Sequence, residues 1–158
     1  MKMARWSVMI MVAVAASVVG AAVRQDDFFV EGSVYCDTCR AGFVTNASTP
    51  IAGAKVRLEC RHFMSNKDAV ERSAEGVTDG AGRYRIELED NRGSEEECAV
   101  VLVSSPVAGC TEKEPGRDRA DVDLVEDAGL ATPVRRANPI GFLTDHPLPI
   151  CEELININ

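Results

Sequence analysis

Hydrophobic and polar residues alternate with a period of two over much of the chain, the signal of half-buried strands rather than helices. Residues 28–36 place Phe28, Val30, Val34 and Cys36 on one side and Glu31, Ser33 and Tyr35 on the other. Residues 54–60 repeat the pattern, with Ala54, Val56, Leu58 and Cys60 opposite Lys55, Arg57 and Glu59, and residues 83–89 turn Tyr84, Ile86 and Leu88 inward. The unbroken apolar run at 98–104 predicts a central strand covered on both faces. Residues 68–78 mix small residues with charges and predict a solvated edge strand, charge being what keeps an edge from pairing with other chains. Residues 120–126 set Val122 and Leu124 against Asp121 and Asp123, and residues 138–143 predict a short strand or an extended cover over the core.

Turn chemistry separates these segments. A loop at 40–53 carries Pro50, and an acidic loop at 90–97 carries Gly93. Thr78-Asp-Gly-Ala-Gly82 predicts a tight hairpin turn, because Asp-Gly and a second glycine permit positive φ. After residue 128, Pro133, Pro139, Pro147 and Pro149 interrupt any long element, and no helix of ten residues is expected. Six to seven short strands with turns between them predict an all-β fold, a small antiparallel β-sandwich or barrel.

The first residues break the pattern. Lys2 and Arg5 precede an apolar stretch at 6–19, and Gly20, Ala21 and Ala22 supply small residues suited to a signal peptidase. The stretch is shorter than the ~20 residues that span a bilayer comfortably. Residues 1–22 are therefore read as a secretory signal peptide, rather than an uncleaved anchor, and residues 23–158 as a single disulfide-bonded β-domain. Removing Lys2 and Arg5 from 17 basic residues, with all 25 acidic ones kept, takes the net charge from −8 to −10. Nucleic acid and, after cleavage, anionic membrane are excluded as partners, since both demand a basic face. A partner with a basic patch fits better, with affinity that weakens as salt rises.

All six cysteines, Cys36, Cys39, Cys60, Cys98, Cys110 and Cys151, lie after the signal, and an even count in that context implies a disulfide framework with fifteen possible pairings. Cys36 and Cys39 form a Cys-x-x-Cys, but the residues before it read as a strand and residues 40–46 after it have no helical period, so a low-pKa redox pair is not expected. Zinc would need a second close ligand pair, and Cys60 with His62 lies in strand-like context. No cofactor is expected. His62 and His146 read as ordinary loop or surface residues. Glu95, Glu96 and Glu97, and Asp118, Asp121, Asp123, Glu126 and Asp127, read as solvated charge rather than a glycosidase pair, and no EF-hand spacing is present for calcium. Asn46-Ala47-Ser48 in a loop is an acceptor for N-glycosylation.

The stretch Gly32-Ser-Val-Tyr-Cys-Asp-Thr-Cys-Arg-Ala-Gly-Phe-Val-Thr-Asn46 resembles the motif of the pollen Ole e I-like family, which includes the olive-pollen major allergen and extensin-like proteins. Pro50-Ile-Ala-Gly-Ala-Lys-Val-Arg-Leu-Glu-Cys60, Thr78-Asp-Gly-Ala-Gly-Arg-Tyr84, Arg117-Asp-Arg119 and Ala137-Asn-Pro-Ile140 are similar to further family blocks in the same order. The resemblance implies a secreted plant protein with an all-β disulfide-bonded fold and glycosylation at Asn46. It also implies a pairing, Cys36 with Cys110, Cys39 with Cys151 and Cys60 with Cys98. The family is associated with pollen hydration and pollen-tube growth, and no catalytic activity is established for it as a whole. Long proline-rich repeats of true extensins are missing.

The expected function is that of a secreted, glycosylated, non-enzymatic protein of the extracellular space or cell wall, binding a receptor ectodomain or wall polysaccharide. The alternative is a secreted hydrolase or hydrolase inhibitor, with exposed loops at 40–53 or 112–119 making the contact.

Overall fold

The computed structural model describes residues 28–62, 64, 69–88, 96–124 and 132–155. The signal peptide expected at 1–22 and most of the acidic loop expected at 90–97 lie outside the described residues. So do Glu126 and Asp127.

Two sheets carry the described fold, both built from the alternating segments. In the first, β1 (Phe28–Asp37) is the spine. Its first half pairs antiparallel with β5 (Arg83–Leu88) and, on the other side, parallel with β8 (Val134–Arg136). Its second half pairs antiparallel with β2 (Thr49–Pro50) and parallel with β9 (Ile140–Leu143). The second sheet is antiparallel throughout, in the order β4 (Arg72–Val77), β3 (Lys55–His62), β6 (Glu96–Ser104), β7 (Arg119–Val122). The segment expected at the edge is β4, and the apolar run is the interior strand β6. A single short helix, α1 (Cys151–Ile155), comes after the last strand among the described residues.

Alternate residues from the two layers form one core. Val30, Val34, Ile86, Ile140 and Phe142 from the first sheet join Val56, Leu58, Val100, Leu102 and Val122 from the second. Tyr84 belongs to the same cluster. It faces Gly32 in register, and a Cβ there would stand 2.5 Å from the ring carbon Cζ. Glycine in a mid-strand position thus gives the ring its bed. Burial pushes the Tyr84 phenol well above its ordinary pKa, so it stays neutral.

Three details depart from the alternation. The first sheet is mixed, because period-two patterning reports which face is buried and not the direction of the neighbour. β8 carries Arg135 at its buried position, with Nη1 donating to the Thr132 carbonyl at 2.7 Å, so its sequence shows no apolar alternation. The tight turn at 78–82 forms, but it joins two layers instead of a paired hairpin. Thr78 is buried; its hydroxyl donates to the Ile51 carbonyl at 2.6 Å and accepts the Ala54 N–H at 2.9 Å, and the bond to Ala54, the residue before β3, holds that end of the turn to the second sheet. Arg83, at the other end, pairs with Ser33 in the first.

Within the turn the Asp79 carboxylate accepts the N–H groups of Ala81 and Arg83, both at 2.9 Å, and these bonds hold its pKa below the usual range. Gly82 has φ +72°, and a Cβ there would lie 2.7 Å from the Val34 carbonyl oxygen. Gly82→Ala combines left-handed strain with a backbone clash and is expected to cost about 2 kcal/mol or more, read from the urea midpoint of unfolding.

Candidate functional site

The second half of β1 runs directly into the Cys-x-x-Cys loop, and this end of the sandwich gathers most of the chemistry singled out by the sequence. Cys36, inward on β1, is bonded to Cys110 across 74 residues, with the Cα atoms 6.0 Å apart. Cys39 is bonded to Cys151 across 112 residues, at 5.2 Å. Cys60 and Cys98 face each other in register on β3 and β6 and are bonded, at 4.1 Å. These are the pairs the resemblance implies. Cys36 and Cys39 take separate partners, so the Cys-x-x-Cys is two structural half-cystines and not a dithiol couple. Glu96 lies near Cys60 and Cys98 in a cluster with metal-like spacing, but both sulfurs are in the disulfide and offer no thiolate.

Asp37, the last residue of β1 and between the two half-cystines Cys36 and Cys39, organises the loop. It is 1% exposed. Its carboxylate accepts the N–H of Cys39 at 3.2 Å and that of Gly42 at 2.6 Å, an Asx-type arrangement that replaces backbone pairing. Its carbonyl accepts the N–H groups of Arg40 and Thr144. The Thr38 hydroxyl donates to Ala47 at 2.8 Å, and the Thr38 carbonyl accepts the Leu148 N–H at 3.0 Å. The loop is therefore held both to itself and to the C-terminal segment.

Arg40 supplies a second tie. It adopts a left-handed φ of 52°, unusual for a residue with a side chain. From there its guanidinium binds both carboxylate oxygens of Glu112, at 2.7 and 2.9 Å, and donates to the Thr144 carbonyl at 2.6 Å. The hydrogen bonds from Arg40 hold the Glu112 carboxyl below its ordinary 4.5. A depressed carboxylate pKa favours the folded state above the ordinary value, and that contribution disappears as pH falls through the lowered one. The clamp should therefore open as the pH falls below the ordinary carboxylate value and through the lowered one, seen as a loss of hydrogen-exchange protection, relative to the intrinsic rate at each pH, at the Leu143 and Thr144 amides. Glu112→Gln should show the reduced protection over the whole range.

Asn46 is exposed, as its loop assignment requires. It occupies a turn in which the Ser48 N–H donates to the Thr45 carbonyl at 3.0 Å and the Thr45 N–H donates to Ser48 Oγ at 2.9 Å. Phe43 and Val44, just before it, are 59% and 55% exposed. Val107, beside the half-cystine Cys110, and Leu148 and Ile150, beside Cys151, are exposed as well.

Several other side chains with catalytic potential are engaged in hydrogen bonds or lie at the surface. His62 Nδ1 accepts the Met64 N–H at 3.2 Å, and His146 is exposed. The hydroxyls of Thr38, Thr78 and Thr144 donate to backbone carbonyls. Asp121 and Asp123 are exposed. Asp118 accepts the Gly116 N–H within its own loop. Away from the loop end, the outer face of the first sheet carries Arg83, Arg85 and Arg136 around Ser33. Arg85 pairs with Glu31 at 2.7 Å and stacks over Phe29 at 3.9 Å. Pattern reading missed Asp37, Arg40 and Glu112 as organising residues; the one local signal for them was an aspartate directly after a half-cystine.

This architecture defines a class of protein: an all-β sandwich stapled by three disulfides, with its loops cross-tied at one end. The chain belongs to the family described as pollen protein Ole e 1 like, whose model matches residues 26–157. It is 53% identical over 129 residues to pollen-specific protein C13 of Zea mays, covering 82% of this chain and 74% of that one. It is 46% identical over 125 residues to pollen allergen Phl p 11 of Phleum pratense, covering 78% and 85%. Its fold matches the crystal structure of the major plantain pollen allergen Pla l 1 with a TM-score of 0.67 and 28% identity, over 78% of this chain and 98% of that one. These relatives are named as pollen-specific proteins and allergens, not as enzymes. A disulfide-rich chain of this family is consistent with a secreted protein.

Proposed function

We propose that the chain is a secreted, glycosylated, non-catalytic protein of the extracellular space or cell wall, acting in pollen-tube or tissue growth by binding a receptor ectodomain through its loop end. The observation that carries this reading is the convergence of Cys36–Cys110, Cys39–Cys151 and the Arg40–Glu112 clamp on one end of the sandwich. Three loops distant in sequence become one pre-ordered surface, which lowers the entropy cost of docking. Aliphatic Val107, Leu148 and Ile150 on that surface suit a protein partner. Glycan on Asn46 belongs to the same proposal.

The test is capture of extracellular receptor domains by the secreted protein and by a Leu148→Asp, Ile150→Asp variant. Specific capture by the native chain, weakened about tenfold or more in the variant with an unchanged melting temperature, is the expected result. Equal capture by both, or none by the native chain, contradicts it. Turnover or nanomolar inhibition in a screen of wall glycosidases and proteases would favour the hydrolase or inhibitor reading instead.

The arginine face supports a second reading, a wall polysaccharide partner. Arg83 and Arg136, beside the Arg85–Glu31 pair and with Asp79 on the same concavity, present guanidinium groups that suit uronate carboxylates. Retardation in a polygalacturonate gel that salt abolishes would support it; unretarded migration at low salt would not.

A further inference from the structure

The exposed ring of Phe43 has a specific occupant in reach. Resting on the glycosylation of Asn46 proposed above, we propose that Phe43 is the platform on which the first N-acetylglucosamine of that glycan packs, making the sugar a structural cover of the Cys-x-x-Cys loop.

The backbone around Phe43 is fixed before any sugar is added. Gly42 N–H is held by the Asp37 carboxylate at 2.6 Å, and Thr45 N–H by Ser48 Oγ at 2.9 Å. Between these two anchors Phe43 and Val44 stand 59% and 55% exposed, although large apolar side chains in a well-tied segment would ordinarily turn inward. The Ser48 N–H to Thr45 carbonyl bond closes a turn with Asn46 and Ala47 at its centre, reversing the chain three residues after the ring. Phe43 thus lies two residues before the short, ordered turn that carries the acceptor amide.

The sugar has matching chemistry. One face of the pyranose of N-acetylglucosamine presents C–H bonds, which are electropositive and pack on the electron-rich face of an aromatic ring. It arrives when the Asn46 amide nitrogen attacks C1 of an oligosaccharide carried on a lipid pyrophosphate. The C1–N bond forms, the C1–O bond to the pyrophosphate breaks, and the amide loses one proton as the lipid pyrophosphate leaves. Because the sugar is tethered and the loop pre-ordered, little further freedom is lost when it settles on the ring. Since the contact involves the first sugar, the rest of the glycan is dispensable for it.

The experiment compares melting temperatures of the secreted chain and its Phe43→Ala variant in three forms: full glycan, glycan trimmed by an endoglycosidase to a single N-acetylglucosamine, and Asn46→Gln. With Phe43 present, the full and trimmed forms are expected to melt together, about 4 °C above Asn46→Gln. With Phe43→Ala the three forms should melt within about 1 °C of one another, the non-additivity that marks a direct contact. An N-acetyl methyl resonance shifted upfield by the ring in the native chain, and unshifted in Phe43→Ala, would support the same contact independently. Glycan stabilisation of equal size in both backgrounds, or none in either, overturns the proposal while leaving glycosylation intact. An intact mass without glycan on the secreted chain would instead overturn the glycosylation reading, and this contact with it.

Discussion

A chain with Cys36 and Cys110 both replaced by alanine is expected to lose about 4 kcal/mol of stability, more than any exposed substitution should cost. The bond spans 74 residues. In the loop-entropy description a closure of that length removes roughly 4 to 5 kcal/mol worth of freedom from the unfolded chain. Both half-cystines are also buried in the core cluster, so truncation adds lost packing. The loss will not add simply to that of Cys39–Cys151, because the Cys36–Cys110 and Cys39–Cys151 loops overlap along the chain and each cross-link shortens the other's effective closure. Urea unfolding of the otherwise oxidised variant measures this, with a lower midpoint and a steeper slope as the unfolded state expands. An unchanged midpoint would mean that the bond contributes little.

Phe142→Ala should be of similar size, about 3 to 5 kcal/mol. Phe142 is 1% exposed, among the largest fully buried side chains described, and lies on β9 opposite Cys36. The core around it is mainly Val, Leu, Ile and Ala, and no neighbouring aromatic on β9 can swing into the void. Phe142→Leu keeps most of the volume and should cost much less. Both values come from the same denaturation experiment. A near-neutral Phe142→Ala would mean that the two layers close around the gap, contrary to a tightly packed interior.

The contrast between strands and loop end explains what was legible in the sequence. β1, β3 and β5 were readable because each has one face in the core, and burial on alternate positions writes itself into residue type, whereas β6 was readable from its unbroken apolar run, in which Ala99 is buried and Val101 and Val103 are half-buried on the second face. β4 was readable as an edge from its charges. β8 was hidden because Arg135 takes the buried position, and the parallel neighbours of β1 were hidden because alternation is silent on direction. The acceptor at Asn46 was visible as a tripeptide. Asp37, Arg40 and Glu112 were not visible as a set, since 72 residues separate Arg40 from Glu112 and nothing periodic marks loop residues that meet only after folding. Local spacing likewise left the cysteine pairing among fifteen possibilities, and the family resemblance supplied one.

Alternation builds two layers around an aliphatic core poor in aromatics. Disulfides restrain the unfolded chain and carry the order of the sheets out into the loops. Asp37 and the Arg40–Glu112 clamp complete that order at the loop end, where the exposed apolar residues and the glycan acceptor lie.

The most direct test of this account is the intact mass of the natively secreted protein, taken before and after reduction and deglycosylation, together with a peptide map of the unreduced chain. The expected result is a chain starting near Ala22 or Val23, lighter by one hydrogen for each of six cysteines, glycosylated on Asn46 and mapped as Cys36–Cys110, Cys39–Cys151 and Cys60–Cys98. Free thiols on an unglycosylated chain, or a Cys36–Cys39 link, would contradict it.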